Sequence, residues 1–281
     1  MYYILLFEEI GEKEDTTAQQ QKVMDRVQRR LYRHEHENRF LLKRSEDYSV
    51  FDDVFNMPTL MVLNDMINHN VLSYIKGPLA SGKESKVYLA LDANRRNFLS
   101  VKIYLTVSAE FRKRLQYIAG DPRFSSTKRG SRNLISIWAK KEFKNLQTAY
   151  ENGVRVPAPL KVRQNVLVME FIGDDAGVPC PILVNSNSVT AKDYKEIIGQ
   201  ISKLYQKADL VHADLSEYNI FKCANGKIIL FDFGSSVNIK QPNSRQFLKR
   251  DIANVNTFFT KRGIKVLDVE SAIRKVTDEN K

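Results

Sequence analysis

Apolar positions in this chain recur with two periods, one helical and one of two residues. From Met57 to Ile75, the residues Leu60, Leu63, Ile67, Val71 and Ile75 return at helical spacing, and Thr59 stands where it can cap the start. Lys86 to Leu91 then reads as a strand. Asn94 to Asn97 makes a turn, and Phe98 to Tyr104 alternates like a second strand. Lys102 lies between Val101 and Ile103, so it points to the opposite face from both. A helix is predicted over Ile137 to Leu146, with Trp138, Phe143 and Leu146 inward. Val154 to Pro159 reads as a proline-bounded turn, and Val166 to Gly173 as a buried strand running into a hinge. Asp174 to Pro181 is an irregular linker. Tyr194 to Ala208 is helical, with Ile197, Ile198, Ile201, Leu204 and Tyr205 on one face. Phe247 to Phe259 and Ile264 to Val276 read as two closing helices. No internal repeat interrupts this order.

Composition adds bounds to this pattern. The 281 residues suffice for one large domain or two lobes with a substantial core. A balance of 44 basic against 33 acidic residues, +11 net, predicts an anionic partner, and nucleic acid and nucleotide both stay open. Cys180 and Cys223 form no metal-binding pattern, so no zinc site is expected; two free thiols fit a reducing compartment. The apolar start, Met1 to Phe7, lacks a basic flank and runs straight into Glu8 and Glu9, unlike a signal peptide. No apolar run approaches membrane-spanning length, so a soluble intracellular protein is expected. Residues 11–50 are polar and highly charged, and read as a partly helical or disordered basic arm, either a solvated helix or a binding arm.

The chemistry concentrates in Val211-His212-Ala213-Asp214-Leu215-Ser216-Glu217-Tyr218-Asn219-Ile220. Four residues separate Asp214 from Asn219, the spacing of a protein-kinase catalytic loop. Asp232 opens an Asp-Phe-Gly after the apolar run Ile228 to Phe231. Phosphoryl transfer asks for a carboxylate to orient the attacking hydroxyl and for ligands that hold a metal against the phosphates. This set supplies both. Gly77 to Lys83 superficially matches a Walker loop, but Glu84 stands where Ser or Thr should bind magnesium, and a strand follows where a helix should. The segment reads instead as a strand–turn–strand lid over phosphates, approached by Ser81 and backbone N–H groups. Lys102, placed after that lid, is the candidate phosphate-pairing lysine. Glu142 is either its partner or a surface glutamate. An adenine ring would pair with backbone groups at Glu170 and Ile172, beside Met169. Residues 112–132 carry Arg112, Lys113, Arg114, Arg123, Lys128, Arg129 and Arg132; a solvated insertion and a surface for RNA, ribosome or acidic peptide both fit.

With Ser81-Gly82-Lys83-Glu84, Val101-Lys102-Ile103-Tyr104, Trp138-Ala139-Lys140-Lys141-Glu142, Leu167-Val168-Met169, His212-Ala213-Asp214-Leu215-Ser216-Glu217 and Ala253 to Phe259 in view, the sequence resembles the RIO family of atypical protein kinases, closest to its first branch. The resemblance runs from about Met57 to the C-terminus. It implies an α+β, abbreviated two-lobed protein-kinase-like fold, with an antiparallel sheet and helices in the N-lobe and a mostly helical C-lobe. The division would be a charged extension over 1–56, an N-lobe over 57–173 and a C-lobe over 174–281. ATP and Mg2+ would sit between the lobes. By position, Asp214 is the catalytic base, Asn219 and Asp232 bind metal, Lys102 meets the phosphates and Glu142 orients it. Ser81, Met169, Glu170 and Ile172 complete the nucleotide site. Some members act chiefly as ATPases that pass phosphate to the metal-binding aspartate, here Asp232. The resemblance also implies cytoplasmic maturation of the small (40S) ribosomal subunit, with a pre-40S particle as partner, rRNA a candidate contact of 112–132, and no membrane. A nucleotide-switched ribosome- or RNA-binding factor with negligible turnover is the alternative. The first branch usually lacks the plain Asp-Phe-Gly found here, Ala213 replaces the arginine of ordinary kinases, and no Ala-Pro-Glu follows Asp232.

Overall fold

The computed structural model describes residues 55–105 and 131–277. The expected extension 1–56 lies outside these except for Phe55 and Asn56, and the basic segment 112–132 except for its last two residues, which begin a helix. Helix α1 spans Met57–Asn68. Its cap is Asn56, whose Oδ1 accepts from both the N–H and the hydroxyl of Thr59. Thr59 itself is therefore not the cap. The helix also stops sooner than its apolar spacing predicts. Asn70 adopts a left-handed φ of 55°. Its N–H bonds the Ile67 carbonyl and that of Val71 bonds the Met66 carbonyl, which closes the helix as a Schellman turn. Ile75, expected on this helix, belongs to the next strand.

That strand is β1 (Tyr74–Ser81), followed by β2 (Ser85–Leu91) and β3 (Phe98–Tyr104). Together with β4 (Pro159–Arg163) and β5 (Val166–Glu170) they form one antiparallel sheet ordered β1-β2-β3-β5-β4. Strand β4 was not expected from the sequence. Pro78 is tolerated because β1 is an edge strand, and the register shifts on either side of it. Alternation along β3 splits its side chains between two cores. Leu99, Val101 and Ile103 pack with α1, whereas Tyr104 joins a second, larger core. Lys102 shares the Tyr104 face and pairs across the sheet with Leu167.

The second core belongs to the helices. Helix α2 (Ser131–Glu151) packs against β4 and β5 and exceeds the predicted Ile137 to Leu146 at both ends. Helix α3 (Ala191–Gln206) starts at a capping box between Thr190 and Asp193. Two short ribbons follow, β6 (Leu210–Val211) with β9 (Val237–Asn238) and β7 (Ile220–Lys222) with β8 (Ile228–Leu230). Helices α4 (Ser244–Thr260) and α5 (Val269–Thr277) close the chain. Helix α5 begins later than Ile264 because the preceding segment is held extended: the Leu267 carbonyl accepts from Asn256 and its N–H donates to the Tyr194 hydroxyl. Among the described residues no helix is long and apolar enough to cross a membrane.

The expectation of two free thiols is corrected. Cys180 and Cys223 are joined as a disulfide, their Cα atoms 5.0 Å apart. The main chain already brings them together, since Lys222 N–H donates to the Pro181 carbonyl and Ile182 bridges to Phe221. The bond ties the segment after the hinge to the β7–β8 ribbon. Its sequence separation of 43 corresponds to roughly 4 kcal/mol of chain entropy removed from the unfolded state. Reduction is therefore expected to lower the melting temperature, and alkylation of unreduced, denatured protein should label neither cysteine. Two labelled cysteines by intact mass would contradict the bond.

Candidate active site

Three elements meet at one ammonium group. Lys102 Nζ donates to both carboxylate oxygens of Glu142 on α2, at 2.9 and 2.8 Å, and to Asp232 Oδ1 at 2.9 Å, just past β8. Tyr104, two residues along the same strand face, donates its hydroxyl to Glu142 Oε2. Burial alone would lower the Lys102 pKa. The negative charges of Asp232 and Glu142 outweigh it and hold the ammonium above the usual lysine range. Burial pushes the Glu142 carboxyl up; the charge of Lys102 opposes this, that of Asp232 adds to it, and the result is about 7. Exposure separates the two acids. The Glu142 side chain is 1% exposed and that of Asp232 44%, so only Asp232 opens toward solvent.

The segment carrying Asp232 is clamped from α2. Asp232 is left-handed, with φ 66° and ψ 65°, and a 3-10 turn over Phe233–Ser235 follows. Lys141 Nζ donates to the carbonyls of Gly234 and Ser236, and Asn145 Nδ2 to those of Phe233 and Ser236. Gly234 is needed for close approach and not for an unusual φ. A Cβ there would stand 2.8 Å from the Trp138 indole nitrogen.

The Asp214 loop joins β6 to β7 and is held from α4. Asp251, 1% exposed, accepts from the Ala213 N–H at 2.8 Å and the Leu215 N–H at 3.0 Å. Asn254 donates to the Leu215 carbonyl at 3.1 Å, and Arg250 to that of Ala213. Burial pushes the Asp251 carboxyl up to about 7, against the two amide bonds. These contacts sustain a left-handed Ala213, φ 64°. Asp214 itself is exposed. Asn219 Nδ2 donates to the Asp214 carbonyl at 2.7 Å, and the Asn219 carbonyl accepts from Phe231 N–H, tying the loop to the end of β8.

The remaining predicted residues sit at the ends of β1 and β5 and in the segment that follows β5. Ser81 is exposed at the end of β1, opposite Lys86, and the lid turn closes when Gly82 N–H bonds the Ser85 carbonyl. Met169 is half-buried at the end of β5. Glu170 N–H is taken by the Ala158 carbonyl, and the Ile172 carbonyl by Cys180 N–H. Sequence reasoning missed Tyr104, Lys141, Asn145, Arg250 and Asp251 as parts of the site. A signal existed for Tyr104, which shares the strand face of Lys102. None existed for Asp251, whose partners lie 36 and 38 residues away.

His212 lies between the two loops, 1% exposed, with Nε2 3.0 Å from the Phe231 carbonyl and its ring edge-on to Phe233. That contact assigns the Nε2–H tautomer and leaves Nδ1 buried without a hydrogen-bond partner. Burial lowers its pKa from 6.5 to about 4. Unfolded chains bind this proton below pH 6.5 and the folded chain only near 4, so stability is full above 6.5 and falls as pH drops toward 4. The expected loss is on the order of 3 kcal/mol. Urea midpoints between pH 7 and 4 should fall less steeply in His212→Gln than in wild type; equal slopes would contradict this.

A model of the RIO domain matches residues 86–272. The chain is 35% identical over 241 residues to the RIO-type serine/threonine-protein kinase Rio1 of Haloferax volcanii, covering 85% of this chain and 81% of the relative. It is 35% identical over 244 residues to the human serine/threonine-protein kinase RIO1, where it covers 85% of itself but only 42% of the relative. In fold it resembles the Rio2 kinase–ADP/Mg2+–phosphoaspartate complex from Chaetomium thermophilum, at a TM-score of 0.58 and 21% identity over 76% of this chain and 65% of that one. The α+β kinase-like architecture and the match across most of the chain place it in the RIO family of serine/threonine-protein kinases.

Proposed function

We propose that this chain is a Mg2+–ATP-dependent phosphotransferase of the RIO type, with ATPase activity alongside protein kinase activity. The observation that carries the reading is the placement of Lys102. One protonated ammonium is held on its dry side by Glu142 and on its open side by Asp232. The donor set fits the ion: Mg2+ takes one or two protein carboxylates and completes its shell with phosphate and water. Asp232, with its half-open carboxylate, and Asn219, through Oδ1, would hold it. Bound Mg2+–ATP would supply the phosphoryl group and neutralise charge on its oxygens. Lys102 would orient the phosphates, and Asp214 would accept the proton of the attacking hydroxyl or water. Glu170 C=O and Ile172 N–H would meet the adenine edge, with Met169 behind it and Ser81 over the phosphates. The Rio2 kinase complex holds ADP, Mg2+ and a phosphoaspartate, which supports Asp232 as a phosphate acceptor here. Family resemblance supports a cytoplasmic role in 40S maturation, with a pre-40S particle as partner and residues 112–132 as a contact for its rRNA. The protein substrate is left open.

Lys102→Ala is expected to slow turnover by roughly 10²–10³-fold while changing ATP affinity much less. Because Glu142 would be left buried without its ammonium, melting should be recorded beside the rate. Comparable turnover in a folded variant would sink the assignment.

The two acids should separate cleanly. Asp214→Ala is expected to retain Mg2+-dependent ATP binding but lose phosphate release, whereas Asp232→Ala should lose both the metal-dependent affinity and any phosphorylated enzyme. The assay is transfer of label from γ-labelled ATP followed by hydroxylamine, which cleaves acyl phosphates and spares phosphoserine. Label that resists hydroxylamine, or that persists in Asp232→Ala, rules out the aspartyl intermediate.

A further inference from the structure

Lys141 precedes Glu142 on α2, yet it points at a different target. Its side chain is fully buried, at 0% exposure. An ammonium so placed has lost its water and must be satisfied by the protein. Two of its acceptors are main-chain carbonyls of the segment that follows Asp232, Gly234 at 2.8 Å and Ser236 at 2.5 Å. Trp138, Lys141 and Asn145 stand at i, i+3 and i+7, one stripe of the helix. Asn145 fastens Phe233 and Ser236 from the same stripe. Trp138 closes on Gly234 with no room for a Cβ. The stripe thus anchors the turn immediately after a left-handed, non-glycine Asp232, a conformation that needs outside support. None of these bonds passes through Lys102 or Glu142. Helix α2 therefore grips the Asp232 segment both by side-chain charges and by its backbone, where Glu142 also accepts from Phe233 N–H.

We propose that Lys141 is a positioning residue for phosphoryl transfer: its buried ammonium, with Asn145, fixes the backbone after Asp232 and so aims that carboxylate at the metal. This deepens the assignment of Asp232 as a Mg2+ ligand and rests on it. Loss of a group that orients a ligand typically costs about 10–100-fold in metal affinity.

The test uses the 281-residue chain and a fluorescent ATP analogue, with dissociation constants measured in Mg2+ and in EDTA. Their ratio reports the metal-dependent gain in affinity. Lys141→Met is expected to shrink that ratio about tenfold while leaving the EDTA value unchanged; a general structural defect would instead weaken both values together with melting temperature. Lys141→Gln, which keeps one donor in similar space, should fall between, and it replaces Lys141→Met if that variant fails to fold. Asp232→Asn is the reference. If Asp232→Asn abolishes the gain and a folded Lys141 variant keeps it in full, the positioning role is wrong while the ligand assignment stands. If Asp232→Asn also keeps the gain, the ligand assignment fails and the positioning role with it. Equal loss in Mg2+ and EDTA likewise overturns the proposal.

Discussion

A single ammonium with two carboxylates around it is the constraint the rest of this structure serves. Removing a charge from water costs several kcal/mol even after the protein relaxes. Glu142 and the Lys102 ammonium both lie in that environment, and each charge lowers the cost of burying the other. Asp232 supplies the second negative charge and keeps the lysine protonated although it is buried. Because Asp232 alone of the three opens to solvent, the arrangement ends in a carboxylate that is oriented from inside and accessible from outside.

Holding that geometry requires two brackets. Helix α2 carries Glu142 and, on an adjoining stripe, the donors for the Asp232 turn. Helix α4 carries Asp251, Arg250 and Asn254, which hold the Asp214 loop by its backbone. Each bracket supports one left-handed residue that is not glycine, Asp232 and Ala213. Such a residue costs roughly 1–2 kcal/mol. Main-chain bonds on its flanks offset that cost and keep the loop from relaxing. His212, between the brackets, bonds the Phe231 carbonyl and packs on Phe233, so the two loops also touch directly.

From Asp232 onward the described chain offers a 3-10 turn, a two-residue strand and two helices. The Asp232 turn is fastened at Phe233, Gly234 and Ser236 and leads within a few residues into α4, the helix that holds the other loop. The two loops are thereby coupled through a short stretch of backbone.

Local periodicity determined much of this protein. The alternation of β3 placed Lys102 on the face away from Val101 and Ile103, where the structure also has it, because side chains two apart share a face whatever the strand packs against. The spacing of Asp214, Asn219 and Asp232, with the surrounding residues, pointed to the kinase-like fold. Helices α2, α3 and α4 were legible from their apolar stripes, less so their ends. Where the sequence reading failed, the deciding contact was a local turn in one case and a distant pair in the others. Asn70, Val71 and Met66 ended α1 through a turn the apolar spacing ran past. Tyr194 and Asn256 held Leu267 extended and delayed α5. Cys180 and Cys223 meet only because the segment around Pro181 and Ile182 runs beside β7. Lys102 and Asp232 are 130 residues apart, and Lys141 and Gly234 are 93. A sequence shows which side chains share a face over a few turns or strand steps. Only the packing of β3, α2 and α4 decided which faces meet, and so which lysine is paired, which acid is dry and which acid faces solvent.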